Sequence, residues 1–66
     1  EAKVIEECSE LIQAICKADR FGYDSHHPSR PQHSNRTDVL CEIIDVRAAI
    51  ERYLDSWRLN LENSHR

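Results

Sequence analysis

Apolar residues recur at helical spacing in two stretches of this chain and at strand spacing in none. That contrast limits the possible folds more than any other feature. In the first stretch they fall at 4, 5, 8, 11, 12 and 15, and in the second at 39, 40, 43, 44, 46, 50, 53, 54 and 57. Both patterns follow a period near 3.6 residues. The first stretch, about residues 2–20, holds no Pro or Gly. The only glycine, Gly22, stands where such a helix would end. Residues from about 21 to 35 carry both prolines together with His26, His27 and His33, and so read as a loop. A loop of this length in so small a domain is usually functional or disordered. A second helix is expected over about 36–58, capped by Ser34, Asn35 or Thr37. The tail, 59–66, either extends it or frays.

The expected fold is therefore all-α: a single domain, 1–66, built as a helical hairpin. Two helices cannot enclose a core. A chain of 66 residues buries only about 60% of its unfolded surface. Association of the hairpin as a dimer or tetramer, in a four-helix bundle, is the natural solution. Placing residues at about 100° per step puts Val4, Cys8, Leu11 and Ile15 in one stripe and Val39, Ile43, Val46 and Ile50 in its counterpart. Ile12, Ile44 and Leu54 widen that stripe, as burial against more than one neighbour requires.

The formal charge of −3 and the scatter of nine basic residues along the chain argue against a nucleic-acid partner. No apolar run approaches the ~20 residues of a membrane span, and no signal peptide is visible. Cys8, Cys16 and Cys41 are an odd number on expected helices. They read as reduced, small buried groups of a cytoplasmic protein rather than a disulfide framework. They also lack the close Cys pair that zinc sites favour. Neither helix carries a histidine, which removes the Glu-x-x-His repeat of di-iron bundles.

Two carboxylate pairs remain: Glu7 with Glu10, and Glu42 with Asp45. Each pair is spaced i, i+3, so its members share a helix face, roughly 5–6 Å apart at Cβ. Val4–Leu11 and Val39–Val46 match in register, and each pair flanks its apolar stripe on the same side. The acids are thus expected at the boundary between core and solvent. Facing helices would bring four acids together, and a hard divalent cation such as Mg²⁺ is the usual physical reason to tolerate that. A solvated acidic flank is the bland alternative.

Glu6-Glu7-x-x-Glu10 followed by Glu42-x-x-Asp45 resembles the motif of the all-α nucleoside triphosphate pyrophosphohydrolases, and in particular their MazG-like phage and bacterial members. Lys17-Ala18-Asp19-Arg20-Phe21-Gly22, the His-His-Pro that follows and the Asn-Arg entry to the second helix look like that subgroup. The similarity covers about residues 3–55. It implies a hydrolase that splits (deoxy)nucleoside triphosphates into monophosphate and pyrophosphate, in a house-cleaning role. It further implies Mg²⁺ or Mn²⁺ held by Glu7, Glu10, Glu42 and Asp45, with Glu7 or Glu10 as general base. The interval between the motifs, residues 11–41, is longer than the family's commonest one, and the extra length falls in the loop. Lys17 and Arg20, at the end of the first helix below the acids, are candidates to pair with triphosphate oxygens, Phe21 to stack on a base, and His26, His27 and His33 to meet phosphate or a metal from the loop. A different class of function fits the same pattern: a non-enzymatic helical module that dimerises, with its acids exposed.

Overall fold

The computed structural model describes residues 2–64 and consists of two helices, α1 (Ala2–Phe21) and α2 (Asn35–Ser64). They pack as an antiparallel hairpin: Lys3 near the start of α1 shares a groove with Arg52, and Lys17 near its end shares one with Asp38. The α2 helix runs past its expected end near residue 58, so residues 59–64 of the expected tail are helical, and 65–66 lie outside the described residues. No Pro or Gly interrupts α2, so nothing in its sequence stops it earlier.

Local chemistry sets the ends of the helices. Gly22 adopts φ +99°, a conformation that side chains with a Cβ rarely adopt. Its amide donates to Ala18 O at 2.8 Å, which closes α1 in a left-handed cap. Ser34 is the N-cap of α2. Its Oγ accepts from the Thr37 amide at 3.2 Å, and its carbonyl accepts from Asp38 at 3.1 Å. The next free donors of α2 are satisfied from the loop: the Asn35 amide donates to Ser25 O and the Arg36 amide to Tyr23 O, both at 2.8 Å. Asn35 is buried, and its Nδ2 donates to Gly22 O at 2.9 Å. The long loop is therefore a chain of turns stitched to both helix ends, pinched by an antiparallel bridge between His26 and Ser34.

The seam between the helices repeats at 3- and 4-residue steps. On α1 it runs through Val4, Glu7, Leu11, Ala14 and Ala18, and on α2 through Val39, Glu42, Val46 and Ala49, all of them buried or half-buried. This corrects the expected stripe. Ile15, Ile43 and Ile50 are exposed, and the seam is rotated by about 50° toward the acids. The apolar arc of each helix is wider than one seam, and the hairpin uses only one edge of it. The remainder points outward. Ile5, Ile12 and Ile15 of α1 and Leu40, Ile43, Ile50 and Leu54 of α2 are all exposed. In an antiparallel pair their angular positions place them on the same face.

The hairpin is long, 56 × 18 × 15 Å, with a radius of gyration of 16.2 Å. A compact domain of this length has about 11 Å. Its accessible surface is 5314 Å², against about 4,300 Å² for a compact monomer of the same mass. No helix among the described residues is long and apolar enough to cross a membrane.

Candidate functional site

The same rotation that exposes the isoleucines carries two acids into the seam. Glu7 was expected at the boundary and instead is 6% exposed; Glu42, facing it from α2, is half-buried. Both were placed there by the spacing of their apolar neighbours. Glu7 lies three residues after Val4 and four before Leu11, and Glu42 lies three after Val39 and four before Val46. Glu10 and Asp45, one helical step away on the outer edge, are exposed.

One carboxylate oxygen from each of Glu7, Glu42 and Asp45 lies within 4.8 Å of the others, and the same holds for Glu6, Glu7 and Glu10. Glu7 belongs to both groups, so the two motifs meet on its side chain. Its Oε1 accepts from the Lys3 ammonium at 3.1 Å, a pair that in turn holds the Lys3 pKa above its ordinary value. Its Oε2 is buried without a hydrogen-bond partner among the described residues, and so is Oε2 of Glu42. Burial, followed by the charges of Glu10, Asp45 and Glu7, pushes the Glu42 carboxyl above the usual carboxylate range. Like charges held close in a partly desolvated seam raise the cost of ionising any one of them. A buried acceptor left unpaired costs about 1–3 kcal/mol. The donor set is all carboxylate oxygen, which suits Mg²⁺ or Mn²⁺. The two orphaned oxygens are the observation that makes the set fit a cation.

The cluster opens on two sides. Glu7 and Asp45 border a shallow groove with Lys3 and Arg52. Glu10 and Glu42 border a larger one, of about 520 Å³, that runs toward the loop past Gln13, Lys17 and Asp38 to Arg30 and His33. Of the side chains expected to meet substrate, Lys17 lies in this groove. Arg20 and Phe21 line a different one, where the Arg20 guanidinium sits 6.0 Å from the Phe21 ring centre. His26 and His27 line a third, with Phe21 and Lys17. Lys17 alone among these candidates borders all three.

Arg30, Asp38 and Gln13 border the groove without having been anticipated, and His33, a candidate for phosphate or metal contact from the loop, borders it with them. Gln13 follows Glu10 by three residues and Asp38 precedes Glu42 by four, so helical spacing was enough to find them. The Lys3–Glu7 pair, at i, i+4, was legible in the same way. Arg30 and His33 are loop residues with no period. Both turn out to hold Asp38, Arg30 at 3.9 Å and His33 through Nε2. Arg36 is paired with Asp24 at 3.3 Å and lies over the Tyr23 ring, away from the acids.

Comparison with protein-family profiles, curated proteins and solved structures finds no match to this chain. The residues and their geometry carry the functional argument alone.

Proposed function

We propose that this chain is a metal-dependent nucleoside triphosphate pyrophosphohydrolase whose hairpins associate into a helical bundle. The observation that supports this reading is the pair of buried, unpartnered carboxylate oxygens, one from each helix, within a cluster of like charge. Packing gains nothing from such an arrangement. Glu7, Glu42 and Asp45 would hold Mg²⁺ or Mn²⁺, with Glu10 at its edge. When bound, the ion would neutralise charge on the phosphates and acidify a water.

In the proposed reaction, water oxygen bonds to the α-phosphorus and the α–β bridging bond breaks. Monophosphate and pyrophosphate are released. A carboxylate accepts the water's proton. Glu10 suits that role, because it is exposed and borders the larger groove. Glu7 is already engaged at one oxygen by Lys3 and faces the cluster with the other, which suits a ligand. Lys17 would meet the phosphates from the same groove.

A second reading has its own observation and asks for less: a non-enzymatic module that self-associates. The exposed isoleucine and leucine face and an excess surface on the order of 1,000 Å² over a compact monomer match what one partner contributes to a stable interface, about 800 Å². Association accounts for that surface without any ion, and exposed acids such as Glu6, Glu10 and Asp45 are ordinary on a helix.

The two readings part on one experiment. A panel of nucleoside triphosphates is incubated with the oligomeric chain and Mg²⁺ or Mn²⁺, and pyrophosphate release is followed. Turnover with at least one triphosphate is the expected outcome. A well-folded oligomer that releases no pyrophosphate, and whose melting temperature is unmoved by Mg²⁺, leaves the association module standing.

A further inference from the structure

The larger groove is electrostatically two-ended. At one end are Glu10 and Glu42, and at the other Lys17, Arg30 and His33 surround the single carboxylate of Asp38. Lys17 follows Glu10 by seven residues on α1, about 10 Å of helix. Beyond the end of α1 the loop folds back and brings Arg30 and His33 to the same groove as Lys17. Turns fix them there: the Arg30 amide donates to His27 O at 2.9 Å and the His33 amide to Arg30 O at 3.1 Å. Asp38, in the first turn of α2, accepts from His33 and stands 3.9 Å from the Arg30 guanidinium. The Arg30 contact is long for a charge-assisted hydrogen bond, which closes to about 2.7–2.9 Å when well made. More than half of the Arg30 side chain is exposed, so the guanidinium is held over the groove mouth rather than consumed by Asp38. Lys17 has no ion-pair partner among the described residues.

We propose that Lys17 and Arg30 form a subsite for a diphosphate group, at the end of the groove opposite Glu10 and Glu42, with His33 beside them engaging Asp38. The inference rests on the enzyme reading for its place in a reaction. With the α-phosphorus beside the carboxylates, the β- and γ-phosphates extend toward the loop and leave from it as pyrophosphate. An Arg fork and a Lys ammonium are the groups that hold such oxygens best. The loop thereby acquires a role that its length alone did not specify. It brings a guanidinium to the far end of a substrate whose reacting centre is held by the helices.

The test is calorimetric titration of inorganic pyrophosphate with Mg²⁺ into the wild-type chain and into the double variant K17A/R30A, with triphosphate turnover measured in parallel. The double variant should bind pyrophosphate at least ~10-fold more weakly, as expected for lost charge-assisted contacts. In turnover, KM should rise more than kcat falls, since these contacts are made before and during reaction alike. R47A removes one positive charge outside this groove, as R30A does within it, and should leave pyrophosphate affinity within twofold, about the scatter of such contributions. Retained helicity by circular dichroism separates a binding defect from unfolding, and R30A alone supplies the reading if the double variant does not fold. Wild-type pyrophosphate affinity in the Lys17 and Arg30 variants, or no pyrophosphate binding by the wild type, overturns the subsite. Triphosphate turnover unaffected by those variants overturns the subsite and leaves the enzyme reading intact. Pyrophosphate binding that depends on Lys17 and Arg30, without any turnover, upholds the subsite and removes the enzyme reading.

Discussion

The two long faces of this hairpin differ in what they leave unsatisfied. One presents isoleucines and leucines from both helices to solvent. The other presents Lys3, Glu10 and Lys17 of α1 beside Asp38, Asp45 and Arg52 of α2, with the orphaned oxygens of Glu7 and Glu42 beneath them. The seam between the faces is thin, and its buried apolar members are small: Val39, Val46, Ala18 and Ala49. The large hydrophobic side chains that normally dominate a core lie on the outer face instead. This division of labour fits the proposed association of hairpins, which would cover the large side chains that the seam leaves exposed. It also lets the opposite face carry charge that contributes little to folding.

Breaking the apolar face should have the largest effect. Introducing Asp at both Ile12 and Ile43 puts two charges into a surface that association would desolvate. Sedimentation velocity is expected to show loss of the oligomer, and circular dichroism a large loss of helix at micromolar concentration. An unchanged oligomer with both charges in place would mean that this face is not the interface.

On the charged face the expected effect is on activity. Glu42→Ala should remove most metal-dependent pyrophosphate release, a fall on the order of 100-fold or more in kcat/KM if the lost ligand contributes ~3 kcal/mol to the transition state. Without metal, the variant should melt at the same or a higher temperature, because it relieves repulsion with Glu10, Asp45 and Glu7. A clear drop in melting temperature would identify Glu42 as a structural residue and sink its assignment as a ligand.

The pH dependence of stability sharpens the same comparison with a smaller signal. The Glu42 carboxyl titrates above its ordinary value in the folded chain, chiefly through burial. The native state therefore binds its proton more tightly than the unfolded one. The stabilisation this provides is complete below the unfolded pKa and is lost as pH rises through the folded one. Metal-free Glu42→Gln should accordingly be more stable than wild type at pH 7, and the gap should narrow as pH is lowered through the Glu42 titration. A gap that widens toward acid would contradict a desolvated, repelled carboxylate.

The smallest expected effect concerns the turn that sets how the two faces are aligned. Gly22→Ala forces a Cβ into φ +99°, with Ser25 Oγ 3.3 Å away. Denaturant unfolding should show a loss of about 1–2 kcal/mol, the cost of a left-handed conformation for a residue with a Cβ. A neutral result would show that the cap is not what ends α1.

Much of this architecture was legible in the sequence for simple reasons. Helix period, a lone glycine and the capping residues Ser34, Asn35 and Thr37 are local signals, and they located α1, the loop and the beginning of α2 to within a residue or two. The acidic pairs were legible because i, i+3 spacing is geometry. What could not be read was which edge of a broad apolar arc becomes the seam. Val4, Cys8, Leu11 and Ile15 form as good a stripe as Val4, Glu7, Leu11 and Ala14 when only one helix is considered.

The sequence by itself determined two amphipathic helices, the break between them, and a set of carboxylates too regularly spaced to ignore. The tertiary structure decided that small residues pack the seam, that Glu7 and Glu42 enter it, and that Arg30 and His33 close one end of the groove. The physical reason lies in the range of the forces involved. Periodicity and capping act within a few residues, so one strand of sequence contains them whole. The rotation of one helix against another is set by side chains far apart in the chain, and a loop without periodicity acquires direction only when its amides bond to both helix ends.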